Sequence, residues 1–251
     1  MGYFRALWIL TQRDLRVRYS TSKLGYLWSV LEPLAMSAIY WFVFTQVFER
    51  TVGETPYIVF LLTALLPWMW FNGAISDASR AFWKESRLVR SIRLPRTVWV
   101  NQLVLAKGIE FLLALPVLAL FAILGGAQLH IGVVLFPLAI VLQAVCMVGV
   151  GLIVAPLVVF YRDLERATKL VLRFLFFATP VIYGTSDLPH GLELWSAINP
   201  LAGAISLYRA SFFPAQLDWA VVGISSASAA VMLLLGLYVF RRSERALLKA
   251  V

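Results

Sequence analysis

One cysteine in 251 residues leaves nothing for it to pair with. Cys146 sits in the middle of an apolar run, so a disulfide framework and a thiolate metal site are both excluded. Histidine is almost as scarce. His130 and His190 are the two, and both fall in turn-like contexts, which suits solvated side chains better than metal ligands. No Ser/His/Asp arrangement can be assembled from them. There is no Gly-x-x-x-x-Gly-Lys-Ser/Thr, so the chain does not hydrolyse ATP through a P-loop. Charge is short as well: 14% of residues are charged and 61% are hydrophobic, at a mean hydropathy of +0.83. A soluble domain of this length carries nearly twice that share of charge. No sequence repeat, low-complexity linker or cleavable signal pattern is visible.

What is present is a series of apolar segments of about twenty residues, long enough to cross a bilayer as helices. The expected fold class is therefore all-α and integral to the membrane, as one domain over 1–251. An interfacial helix comes first, followed by six spans near 30–48, 56–75, 98–124, 131–160, 170–183 and 219–240. Residues 184–218 are too apolar for an ordinary loop. Asn199-Pro200 there reads as a helix start, with Asn at the cap and Pro in the first turn. Short re-entrant helices between spans five and six account for this stretch.

The chain carries 22 Lys and Arg against 13 Asp and Glu, a net charge of +9. Eighteen of those cations fall in 1–28, 79–97, 161–169 and 241–251. These are the segments that one topology makes cytoplasmic, so the basicity records orientation and not nucleic-acid binding. Both termini then lie inside.

The densest of the four segments runs from Arg80 to Arg96. On a helical wheel Arg80, Lys84 and Arg87 share one face, with Ala81, Phe82, Leu88, Val89 and Ile92 opposite. Pro95 ends the helix near Leu94. Such a basic amphipathic helix is either a lipid anchor or a docking surface for a cytoplasmic partner. Residues 3–19 form a second amphipathic helix, with Phe4, Leu7, Trp8, Thr11 and Leu15 on one face and Arg5, Gln12, Arg13 and Arg16 on the other.

A charge at the bilayer centre costs roughly 2.5–3.5 kcal/mol even on the lenient scale. Lys107 and Glu110, at i, i+3 within span three, are expected to pair. Arg173 is expected to be paired, snorkelling or in a wet cavity. Asp163-Leu164-Glu165 has the form of a glycosyltransferase metal pair. Local ion pairing with the flanking Arg162 and Arg166 is the simpler account. Gly151-x-x-x-Ala155 and Gly223-x-x-x-Ala227 are candidate faces for close helix packing.

Three blocks carry a family resemblance. The first is Arg13-Asp-Leu-Arg-Val-Arg-Tyr19 followed by Leu24-Gly25-x-x-Trp28-x-x-Leu31-x-Pro33-Leu34. The second is Tyr161-Arg162-Asp163-Leu164 with Thr179-Pro180-Val-Ile-Tyr183, and the third is Asn199-Pro200-Leu201 with Tyr208-Arg209. Together they resemble the membrane subunit of ABC-type polysaccharide exporters, the Wzm-like permeases of O-antigen, teichoic acid and cell-wall galactan export. Glu32 departs from the pattern, where a neutral residue would be expected before Pro33.

The resemblance implies a non-enzymatic permease of the bacterial inner membrane. It implies a homodimer with two copies of a separate ATP-binding cassette subunit, which holds ATP and Mg2+. It makes Leu24, Gly25, Tyr26, Leu27 and Trp28 a cytoplasmic gate. It makes Arg80, Lys84, Glu85, Arg87, Arg90, Arg162, Asp163 and Glu165 the ATPase-coupling residues, and the segment after span five a narrowed exit. The expected cargo is a polyprenyl-diphosphate-linked polysaccharide, with Arg16, Arg18 and Lys23 attracting the diphosphate. Tyr40, Phe44 and Phe48, an i, i+4, i+8 stripe, would line the conduit with Phe176 and Tyr183. An exporter of drugs or lipids with the same fold, and an integral membrane glycosyltransferase, are the alternatives.

Overall fold

The computed structural model describes residues 2–20, 24–43, 54–91, 94–188 and 196–250, and all regular structure among them is helical. In chain order the helices are α1 (Tyr3–Ser20), α2 (Trp28–Trp41), α3 (Tyr57–Ala78), the short α4 (Ala81–Lys84) and α5 (Ser86–Ser91), and α6 (Val98–Leu124). They continue as α7 (Phe136–Phe160), α8 (Asp163–Ala178), α9 (Pro200–Arg209) and α10 (Trp219–Ala250). Short 3₁₀ turns at Gly25–Leu27, Ile131–Leu135, Thr185–Asp187 and Pro214–Gln216 join them.

Among the described residues four helical stretches are long and apolar enough to cross a membrane: Tyr57–Ala78, Val98–Leu124, Ile131–Phe160 and Trp219–Glu244. They coincide with expected spans two, three, four and six. The expected first span begins as α2, and its continuation past residue 43 lies outside the described residues. The expected fifth span corresponds to α8, which is not among those four, and here both limits move. The helix starts at Asp163, so most of 161–169 is not a loop. Asp163 and Glu165 occupy its first turn, where negative charge complements the helix dipole. It stops at Ala178, because Thr179 precedes Pro180 and turns extended. Its sixteen residues span about 24 Å.

Helix α3 is the centre of the bundle, with 78% of its apolar window buried inside the chain against 28% for α10. Pro67 within α3 interrupts the backbone ladder, and its carbonyl accepts from Gln143 Nε2 on α7 at 2.7 Å. The most extensive helix pair is α7 with α10. Its closeness comes from Gly149 and Gly236: a Cβ on Gly236 would run into the Gly149 carbonyl oxygen, and one on Gly149 would stand 2.6 Å from Leu233 N. Gly151 likewise admits Val100 Cγ1 from α6. The expected packing face at Gly223 and Ala227 is corrected, since both are exposed and a Cβ on Gly223 meets nothing within 4 Å.

The basic loop is two helices, not one. Glu85, at φ −107° and ψ 22°, breaks it between α4 and α5. Its sidedness survives the break: Ala81, Phe82 and Val89 are buried, while Trp83, Lys84, Arg87 and Arg90 face out. In α1 the expected face splits. Ala6, Leu10, Thr11 and Leu15 are buried, whereas Phe4 is 82% and Trp8 50% exposed. One apolar stripe meets α6 and the other leaves the protein.

All four basic segments meet at one end of the bundle. Leu10, Phe82, Val89, Trp99, Phe240 and Leu247 share a core there, and Arg162 lies over the Trp83 ring at 5.8 Å. At the opposite end the backbone of His130 donates to Ser211 O at 2.8 Å, and Gln216 meets Glu54 at 3.3 Å. The start of α9 is as expected: Asn199 Oδ1 accepts from Leu201 N at 3.0 Å, with Pro200 in the first turn. Residues 201–209 are all buried.

Candidate functional site: an aromatic cavity with an ionic floor

Helices α2, α3, α6 and α8 line an open cavity of about 490 Å³. Toward the end away from the basic segments its wall is aromatic. Tyr40 stacks on Phe176 with ring centroids 5.8 Å apart and planes at 29°. Trp68 meets Phe176 edge-on at 5.5 Å, and Phe177 adjoins it at 5.2 Å. Tyr40 comes from α2 and Phe176 from α8, so the structure brings together two expected conduit residues that lie 136 positions apart in the chain. Tyr183 is close by, donating its hydroxyl to Phe177 O at 3.0 Å. Phe44 and Phe48 lie outside the described residues. Trp68 carries no sequence signal of its own: α3 is apolar all round, so no stripe marks the face that turns to the cavity.

Nearer the basic end the cavity lining turns polar, with Glu32, Asn72, Lys107, Glu110 and Arg173. Lys107 Nζ donates to Glu110 Oε2 at 2.6 Å. The side chains are 17% and 13% exposed. The alkyl stem of Lys107 crosses α3 at Gly73, where a Cβ would stand 3.1 Å from it. Sequence spacing did not disclose a third member. Arg18 Nε, from α1, lies 3.4 Å from Glu110 Oε1. Glu110 thus faces two cations. Glu110→Ala leaves both without it and is expected to lower stability by about 3–5 kcal/mol. Lys107→Ala leaves Glu110 facing Arg18 and is expected to do less damage. Thermal unfolding in detergent measures both, and equal losses would show that Arg18 does not compensate Glu110.

Arg18 also reaches Asp14 at 2.9 Å and Asp77 at 2.8 Å. It is therefore engaged by carboxylates, whereas Arg16 is exposed and lines a groove with Gln12, Leu15, Tyr19, Ser20 and Gly25. Lys23 lies outside the described residues. In the expected gate Gly25 takes φ +50°, which favours glycine, and Leu27 N donates to Leu24 O at 2.9 Å. Leu24, Leu27 and Trp28 present exposed apolar side chains; Tyr26 completes the 3₁₀ turn.

The two expected coupling segments form one surface, joined by the Arg162–Trp83 contact. Arg80 meets Asp77 at 3.3 Å, Arg13 meets Glu85 at 3.0 Å, and Lys84, Arg87 and Arg90 remain exposed. Glu165 pairs with Lys169 at 2.8 Å, one turn on, rather than with Arg162 or Arg166. The Lys169 hydrogen bond holds its carboxyl below the ordinary range. Asp163 stays exposed in the first turn of α8.

Arg209, part of the third sequence block, has a structural role that its sequence context does not mark. It is buried, donates to Val181 O and Tyr183 O at 3.0 Å each, and its guanidinium lies 3.7 Å from the Phe60 ring centroid. It ties α9 to the segment that follows α8.

A bundle of apolar helices around an aromatic cavity, with its cations gathered at one end, defines a multi-pass membrane permease. The chain belongs to the ABC-2 type transporter family, whose pattern it matches over residues 5–213. It is 32% identical over 244 residues to the O-antigen export system permease protein RfbA of Klebsiella pneumoniae, covering 96% of this chain and 93% of that one. It is 31% identical over 234 residues to the protein of the same name from Myxococcus xanthus, covering 92% and 89%. With the polysialic acid transport protein KpsM of Escherichia coli it shares 26% over 247 residues, covering 94% and 92%. These relationships bear out the resemblance carried by the three sequence blocks.

Proposed function

We propose that this chain is the transmembrane subunit of an ATP-driven exporter that moves a polyprenyl-diphosphate-linked polysaccharide across the bacterial inner membrane. It works as a homodimer with two copies of a separate ATP-binding cassette subunit, which holds ATP and Mg2+. The observation that carries this reading is the stacked Tyr40–Phe176 wall backed by Trp68. Flat rings fit the apolar C–H faces of sugars, and the names of the relatives point to glycan cargo. A wall of weak, repeated contacts suits a sliding polymer better than a single deep site would.

In this reading α2 and α8 belong to the first and fifth of six crossings, with both termini cytoplasmic. Helix α9 and its flanking 3₁₀ turns sit as short re-entrant elements at the outer mouth, which Arg209 steadies. The gate is Leu24, Gly25, Tyr26, Leu27 and Trp28. Arg16, with Lys23, attracts the diphosphate, since Arg18 is already engaged by carboxylates. The coupling surface comprises Arg80, Lys84, Glu85, Arg87, Arg90, Arg162, Asp163 and Glu165. A glycosyltransferase role for Asp163 and Glu165 is disfavoured by the Glu165–Lys169 pair.

Reconstitution with the ATPase subunit in proteoliposomes tests the assignment. The lipid-linked glycan is expected to stimulate ATP hydrolysis and to become accessible on the opposite side. Absence of both would sink the reading. Reversing charge with Arg87→Glu and Arg90→Glu is expected to cut ATPase assembly or stimulation at least fivefold while membrane insertion survives. Wild-type stimulation in that variant would make the loop a lipid anchor only.

A further inference from the structure

Arg18 stands where three helices meet. Its Nη2 lies 2.9 Å from Asp14 Oδ2 on α1 itself and 2.8 Å from Asp77 Oδ2 at the end of α3, and its Nε lies 3.4 Å from Glu110 Oε1 on α6. Two of these three carboxylates, Asp77 and Glu110, have second cations. The other oxygen of Asp77 accepts from Arg80 at 3.3 Å, where the basic loop begins. The other oxygen of Glu110 accepts from Lys107 at 2.6 Å. Next to Asp14, both terminal nitrogens of Arg13 donate to Glu85 Oε2 at 3.0 Å, at the break between α4 and α5. One continuous string of ion pairs therefore runs from the basic loop to the ionic floor of the cavity.

Geometry makes this more than an assortment of charges. A guanidinium presents a rigid fork and can hold several carboxylates at fixed angles, which an ammonium cannot. The pairs around Arg18 are mostly shielded from water, with side-chain exposures of 26% for Arg18, 18% for Asp77 and 13% for Glu110. Separating shielded pairs is costlier than separating surface ones. Arg18 is hydrogen-bonded to Asp14 and Asp77, and its Nε faces Glu110 Oε1 as an ion pair without a hydrogen bond, so a shift of the basic loop against α6 works against the charge attraction between Arg18 and Glu110. Lys107 ends the string. Its stem is confined across Gly73, so its ammonium follows Glu110 along the cavity wall.

We propose that Arg18 is the positioning residue that couples the loop surface to the cavity, by holding Glu110, and through it Lys107, in a register set by Asp77 and Arg80. The proposal rests on the exporter reading, in which the loop receives the ATPase and the cavity receives the glycan. Arg18 itself touches no glycan.

The test uses the reconstituted complex with its ATPase and lipid-linked glycan. Arg18→Gln alone leaves carboxylates unbalanced, so it is paired with Asp77→Asn. The double variant keeps net charge and leaves the Lys107–Glu110 pair intact. In the double variant the complex is expected to assemble with a lower thermal midpoint, because Asp14, Glu110 and Arg80 each lose a partner, and to keep a glycan-free ATPase rate within twofold of wild type. The glycan concentration for half-stimulation is also expected to change less than twofold, because the binding wall is untouched. Maximal glycan stimulation is expected to fall at least fivefold. Arg18→Lys, which holds one carboxylate without the fork, is expected to give intermediate stimulation. Full stimulation in the assembled double variant, or in Arg18→Lys, would overturn the proposal and leave Arg18 as scaffolding. If the wild-type complex itself shows no glycan response, the exporter reading fails, which is a different and distinguishable result.

Discussion

Gly236→Val is expected to give a protein that inserts poorly and unfolds far below wild type. The α7–α10 pair is the most extensive in the bundle, and it closes through backbone-to-backbone contact at Gly149 and Gly236. The atom that a new side chain would strike is a main-chain oxygen, which cannot rotate away. The helices would have to separate, and the neighbouring contacts at Met232 and Leu233 would be lost with them. Overpacking of a tight core costs about 1–3 kcal/mol, and more where no flexible side chain can give way. Gly223→Val on the same helix is the matched control, because its position is open. Thermal unfolding in detergent, or the yield of monodisperse protein, reads the difference. Similar behaviour of the two variants would refute the close packing.

The second large effect concerns transport. Tyr40→Ala combined with Phe176→Ala is expected to reduce glycan export at least tenfold, with expression retained. The pair removes both faces of the stacked contact and leaves Trp68 without its edge-on partner. Phe176 is mostly buried and Tyr40 half-buried, so some loss of packing accompanies the change. Tyr40→Phe with Phe176→Tyr separates the causes, since it keeps two rings. That variant should export within twofold of wild type if ring faces matter. Surface glycan measured in cells carrying each variant decides the point, and normal export in the double-alanine chain would show that these rings only pack the bundle.

Much of the architecture was legible from local pattern. Lys107 and Glu110 stand three residues apart on a helix, and that spacing alone puts them on one face. Asn199-Pro200 announced a helix start because cap chemistry is a matter of adjacent residues. The basic clusters announced which segments share an end, since Lys and Arg near span ends report sidedness. The limits of α8 were less legible. An acidic first turn extended the helix into what apolarity alone marked as a loop, and Pro180 shortened its far end. The split of the basic loop at Glu85 had no sequence signal at all.

The amino-acid sequence by itself determined that this protein is a chain of apolar helices with its cations gathered at one end. Helix geometry and the cost of burying charge act on neighbours in sequence, and both leave periodic marks. Only the tertiary structure decided which helix faces meet. In a helix such as α3 or α7 nearly every face is apolar, so no stripe distinguishes the side that meets a neighbour from the side that meets lipid. That is why Gly223-x-x-x-Ala227 read as a packing face and Gly149 with Gly236 did not. It is also why Arg18 and Glu110, 92 positions apart, became partners only once α1 was laid along α6.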